Sequence, residues 1–108
     1  MQVESWNEAE DGPLSEAALR RKLEASGYAV SRYVYPPGMY FADHTHGVDK
    51  IDAVLSGQFR VRMGGESVVL RAGDMVRIPK GAVHSAEVVG EEDAVSFDGV
   101  RQSDLRLG

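Results

Sequence analysis

The chain has 108 residues, enough for one domain around a single hydrophobic core. Its formal net charge of −5, from 12 Lys and Arg against 17 Asp and Glu, has the wrong sign for a general nucleic-acid binder or for docking on an anionic membrane. Without cysteine there are no disulfides and no thiolate ligands, and cysteine usage says nothing about redox compartment.

Residues 1–13 are polar and acidic and read as a partly ordered arm. Near the start there is no basic segment followed by an apolar run, so neither a signal peptide nor a membrane span is expected, and a cytoplasmic protein is. Trp6 stands out in that arm. A lone Trp there docks on something, either its own domain or a partner subunit. Residues 14–26 predict a short helix, started at Pro13 or Ser15 and stopped at Gly27, with Ala18, Leu19 and Leu23 on one face. Arg20, Arg21 and Lys22 form a basic run that, in an acidic chain, reads as a solvated face.

From Tyr28 the period changes to two. Residues 28–35 predict an aromatic and β-branched strand, and Pro36-Pro37-Gly38 a turn. Residues 39–46 continue extended, residues 49–56 form the next strand, and Gly57 closes it. In residues 58–63, Phe59, Val61 and Met63 alternate with Gln58, Arg60 and Arg62. Gly64-Gly65 predicts a hairpin, residues 66–71 the return strand, and residues 75–78, 83–89 and 94–97 the last strands. Many short strands at regular spacing make an all-β sandwich or barrel.

All three histidines fall within this strand region. His44 and His46 are two apart, so in a strand their imidazoles project side by side, and His84 on another strand would complete a metal-binding face. By the same parity Tyr40 lies on the histidine face and offers either a pocket hydroxyl or a buried ring. Phe97 and Met63 read as pocket lining or plain core.

Two stretches have the spacing of a known family. Gly38, His44, His46, Lys50 and Gly57 follow one pattern, and Gly73, Pro79, Gly81, His84 and Val88 the other. Together they resemble the two motifs of the cupin superfamily, in its small conserved-barrel (cupin type-2-like, RmlC-like) form. The resemblance spans residues 28–100. It implies a double-stranded β-helix, or jelly-roll barrel, with the arm and short helix of residues 1–27 outside it and residues 101–108 as a polar tail. It also implies a divalent metal (zinc, iron, nickel or manganese) held by His44, His46 and His84, a small-molecule ligand or substrate, and a homodimer. Neither a nucleic acid nor a membrane is an expected partner.

Two positions depart from the family pattern: Lys50 stands where the family has a carboxylate ligand, and Val88 where it has Asn. An ammonium roughly 5 Å from a dication is repelled by several kcal/mol even at an effective dielectric of about 20. Three resolutions are open. Lys50 turns outward and leaves a three-histidine site, or it sits deprotonated, or a carboxylate substitutes. Asp52 shares the Lys50 face as a fourth ligand or an acceptor behind the ligands, and as an ion-pair partner of Lys50. A one-residue slip would bring in Asp49 instead and turn Val54 outward. The function expected from these residues is a small metal-dependent enzyme, dioxygenase- or isomerase-like. The alternative is a non-catalytic ligand-binding cupin module without metal.

Overall fold

The computed structural model describes residues 1–105; residues 106–108, the end of the expected tail, lie outside the described residues. Among the described residues nine strands form two antiparallel sheets that close on each other as a jelly roll. They are β1 (Val3–Ser5), β2 (Tyr28–Tyr35), β3 (Tyr40–His44), β4 (Lys50–Ser56), β5 (Gln58–Met63), β6 (Glu66–Leu70), β7 (Asp74–Ile78), β8 (His84–Val89) and β9 (Ala94–Arg101). One sheet has the order β1-β7-β4-β9-β2 and the other β3-β8-β5-β6.

Alternation decides which side chains go where. Val54, Phe59, Val61, Leu70, Val76, Ile78, Ala86, Val88 and Ala94 meet between the sheets as the inner core. Val88 is thus a core residue, buried to 2% exposure. The intervening residues Ile51, Ala53, Met75 and Phe97 point the other way. They form a second core with Tyr28 and with Leu19 and Leu23 of the helix α2 (Glu16–Ala25). Phe97 therefore belongs to the outer core and not to a pocket. Ser15 caps α2 by accepting from the Ala18 amide at 3.1 Å. The hairpin between β5 and β6 turns on Gly64 and Gly65, both with positive φ (60° and 79°), as a two-residue hairpin loop requires.

The N-terminal arm is part of the fold. Its β1 adds an edge strand beside β7, with Val3 opposite Val76, and a single helical turn α1 (Glu8–Asp11) follows. Trp6 docks on its own chain. Its indole N–H donates to the Gly12 carbonyl at 2.8 Å, its amide donates to the Gly73 carbonyl at 2.9 Å, and Lys22 lies 5.3 Å from the ring centroid. A Cβ on Gly73 would sit 2.7 Å from Trp6 Cβ, so glycine there is a condition of the docking. The basic run is also partly tied down: Lys22 pairs with Asp11 at 2.6 Å, and Arg20 lies over Phe97 and donates to the Val30 carbonyl, while Arg21 is exposed.

The last strand runs farther than the expected 94–97. β9 pairs with β2 from Ala94 to Arg101 and with β4 along Lys50–Ser56. Asp98-Gly99 resembles a turn, but Gly99 lies in mid-strand because a side chain there would meet Ile51 Cγ2 at 2.6 Å.

Trp6→Ala is expected to lower stability by about 1–3 kcal/mol, less than a fully buried Trp would cost. Urea unfolding followed by far-ultraviolet circular dichroism measures it, and an unchanged midpoint would show that the arm contributes nothing to the outer core.

Candidate metal centre

The three histidines converge at one end of the barrel, each placed by a different device. His84 opens β8, and His44 ends β3 directly opposite it. Between Phe41 and His44 the β3–β8 register shifts, a bulge that re-aims the strand. His46 lies beyond β3, in the loop to β4, and is held by its backbone: the Gly81 amide donates to the His46 carbonyl at 2.9 Å. The Pro79-Lys80-Gly81 turn is held in turn by Asp49, whose Oδ1 accepts from the Lys80 amide at 2.7 Å. Asp49 therefore serves the loop, and the one-residue slip that would bring it inward does not occur.

The ring centroids of His44 and His46 are 4.8 Å apart, those of His44 and His84 4.2 Å, and those of His46 and His84 5.1 Å. One nitrogen from each lies within 4.8 Å of the others. Nitrogens bound to one ion at roughly 2.0–2.1 Å lie up to about 4 Å apart, so small ring rotations close the set. Two of the rings are already oriented for this. His44 Nδ1 lies 2.7 Å from the Ala42 carbonyl and His84 Nδ1 lies 3.0 Å from the Ala82 carbonyl. A carbonyl only accepts, so each Nδ1 carries the proton and each Nε2 lone pair is left free to bind. Burial holds His46 and His84 below the usual histidine range. Lys50 adds to the effect on His46, and on His84 burial outweighs a raising contribution from the Ala82 hydrogen bond. Both rings are thus kept in the neutral form that ligation needs.

The imidazoles open into a cavity of about 150 Å³. Tyr35, Phe41 and Phe59 form an aromatic wall, with Tyr35 edge-on to Phe41 at 5.1 Å. Lys50, Asp52 and Asp98 line it from the five-stranded sheet. Lys50 points inward as the cupin register implies, but its ammonium is bonded to Asp98 Oδ2 at 2.7 Å, with only 11% of its side chain exposed. The expected Lys50–Asp52 ion pair is thus replaced by Lys50–Asp98. Asp52 lies beside that pair and has no salt bridge among the described residues. Asp98 was missed in the sequence because the expected strand ended at Phe97, while β9 runs on to Arg101. Its signal was the alternation Ala94, Ser96, Asp98, which continues past Phe97.

Tyr40 is not in the pocket. It is 58% exposed, and Phe41 lines the cavity instead. Simple parity from His44 back to Tyr40 fails because the bulge between Phe41 and His44 breaks the alternation.

A family model described as Cupin domain matches residues 31–99. Among solved structures, a predicted oxalate decarboxylase from Thermotoga maritima superposes with a TM-score of 0.63 at 27% identity, covering 82% of this chain and 74% of that one. The DMSP lyase DddQ from Ruegeria pomeroyi DSS-3 superposes with a TM-score of 0.65 at 25% identity, covering 76% of this chain and 41% of that one. The acetate kinase EutQ of Salmonella typhimurium is 45% identical over 42 residues, 39% of this chain; the match spans only 18% of that relative's length.

Lys50→Ala would leave two carboxyl groups facing each other without their cation. The expected cost is about 3 kcal/mol at pH 8. It should shrink at pH 5, where protonation relieves the repulsion. Urea unfolding at the two pH values tests this, and an equal loss at both would mean that the charge cluster is not what Lys50 supports.

Proposed function

The chain belongs to the cupin family, and on that premise we propose that His44, His46 and His84 hold a divalent metal and that the pocket beside them takes a small-molecule substrate. The carrying observation is the pair of Nδ1–carbonyl bonds at His44 and His84, which leave two Nε2 lone pairs free in a cluster where the third ring is also kept neutral. An all-imidazole set suits zinc, iron or nickel better than calcium or magnesium, and manganese less well. When bound, such an ion supplies a Lewis acid whose charge three neutral ligands do not cancel.

The remaining residues support a metal-dependent enzyme. Lys50 is neutralised by Asp98, so it does not place a free cation beside the metal site, and neither Asp52 nor Asp98 is needed as a ligand. The aromatic wall excludes water from one side of the pocket. The solved relatives include a lyase and a predicted decarboxylase, which supports small-molecule chemistry. Of the two reaction types expected, the isomerase-like one is favoured over the dioxygenase-like one, because the pocket carries carboxyl groups suited to proton transfer. The inward Lys50 favours the alternative, a ligand-binding module without metal. The proposed assembly is a homodimer, supported by Tyr33, Val34, Met39 and Tyr40, which leave apolar surface exposed on and between β2 and β3. No helix among the described residues is long and apolar enough to cross a membrane; the proposed setting is the cytoplasm.

Metal content of protein purified without a histidine tag, beside a His44→Ala/His84→Ala double variant, decides between the readings. We expect near-stoichiometric metal in the wild type and none in the variant. Metal at a hundred times its Kd should stabilise the wild type by about 2.7 kcal/mol and leave the variant unmoved. Wild-type protein that neither carries nor takes up metal would leave the ligand-binding module as the reading.

A further inference from the structure

The sheet facing the histidines carries a charge cluster that metal binding does not use. We infer that Asp52 and Asp98 share a single proton and form the proton donor and acceptor for a small carbonyl acid bound between them and the histidines. The catalytic half rests on the metal-centre reading; the shared proton does not.

The geometry begins with register. Asp52 and Asp98 are directly opposed on β4 and β9, and both line the cavity. Side chains at opposed positions have Cβ atoms about 4.5–5.5 Å apart, where two like charges repel. Among the described residues lining the cavity Lys50 is the one Lys or Arg, and it is bonded to Asp98 Oδ2. Asp98 Oδ1 is buried and has no hydrogen-bond partner among the described residues. One cation balances one carboxylate. A proton held by the other carboxyl completes the balance, and the free Asp98 Oδ1 is an acceptor for it.

The surrounding groups agree. Burial, with Asp98 second, pushes the Asp52 carboxyl up to about 7, against an opposing pull from Lys50 on its own strand. From β2, Tyr35 faces the pair; burial, then Asp98 and Asp52, push its phenol up to about 12, so it stays protonated and does not compete as a base. β7 contributes only the apolar Val76 and Ile78 to this interior, and the facing sheet and its loop contribute the three histidines.

A pair whose one proton is exchanged near neutrality can lose it, take another from a substrate and return that one. In the ionised state Asp52 accepts a proton from a carbon next to a carbonyl. The C–H bond breaks and its electron pair moves onto the carbonyl oxygen. Returning the proton to a neighbouring atom gives an isomer, and returning solvent hydrogen to the same carbon gives exchange. No oxidant enters the balance. The substrate class follows from the two walls: carboxylate and carbonyl oxygens suit a cation on three neutral imidazoles, and a short carbon chain fits the aromatic side of a small cavity.

Two measurements test the inference. The first is a carbon-13 NMR titration of Asp carboxyls in the metal-free full-length protein. One carboxyl should keep its proton to near pH 7, this titration should vanish in Asp52→Asn, and it should move to lower pH in Asp98→Asn. Because folding raises this group from 3.8, stability should fall as pH rises from about 4 to about 7, and Asp52→Asn should flatten that slope. Full ionisation of both carboxyls by pH 5, or no response to Asp98→Asn, overturns the shared proton. The second measurement follows exchange of pyruvate methyl hydrogens in D2O with zinc-loaded protein, against the same zinc concentration without protein. We expect catalysed exchange, lowered at least about tenfold in Asp52→Asn with zinc binding retained. No exchange in the wild type, or undiminished exchange in the variant, overturns the catalytic role. Failure of the wild type to bind zinc sinks the metal centre and the catalytic role together, while the carboxyl titration still decides the shared proton.

Discussion

The ion pair between Lys50 and Asp98 is what allows a cationic side chain to point into a pocket ringed by imidazoles. Without Asp98 the Lys50 ammonium would face the histidines in a partly dry cavity, where repulsion from any bound cation is strong. With it, Lys50 fills the family's carboxylate position while adding no net charge there. The ladder between β4 and β9 makes this arrangement. It sets Asp52 opposite Asp98 and leaves Lys50 one alternation away on the same face.

The histidine site depends on a different set of restraints, most of them backbone ones. Ala42 and Ala82 supply carbonyls that orient two rings, and the Gly81 amide fixes the loop that carries the third. Asp49 then holds the turn that contains Gly81. The two cupin motifs are thus physically joined, since the loop of the first is bonded to the turn of the second. Pro79 and Gly81 serve the chemistry through shape, and the hydrogen bonds that orient the His44 and His84 rings both go to backbone carbonyls.

Much of this was legible in the residues. The period-two alternation marked β2, β4 and β5 closely, and the histidine spacing brought together the three rings that do converge. The failures have physical causes. Parity placed Tyr40 in the pocket, and a bulge, which leaves no mark in the residue pattern, put Phe41 there instead. The last strand was expected to end at Phe97, because nothing local tells that Gly99 is needed for close packing against Ile51. The acidic arm read as loosely held, yet backbone pairing with β7 and one indole ring are enough to make it part of the sheet. In each case the deciding contact lies far away along the chain.

The site is also divided across the seam of the sandwich. His44 and His84 belong to the four-stranded sheet, while Lys50, Asp52 and Asp98 belong to the five-stranded one. The gap between imidazoles and carboxyls is therefore the thickness of the sandwich at that end, set by how Phe59, Ile78 and Ala86 fill the space between the sheets. Close-packed interiors transmit volume changes rather than absorb them. Apolar side chains that touch no proton thus act as shims: a slightly larger or smaller one moves one half of the pocket against the other, so that the packing of the interior sets the reach of the site.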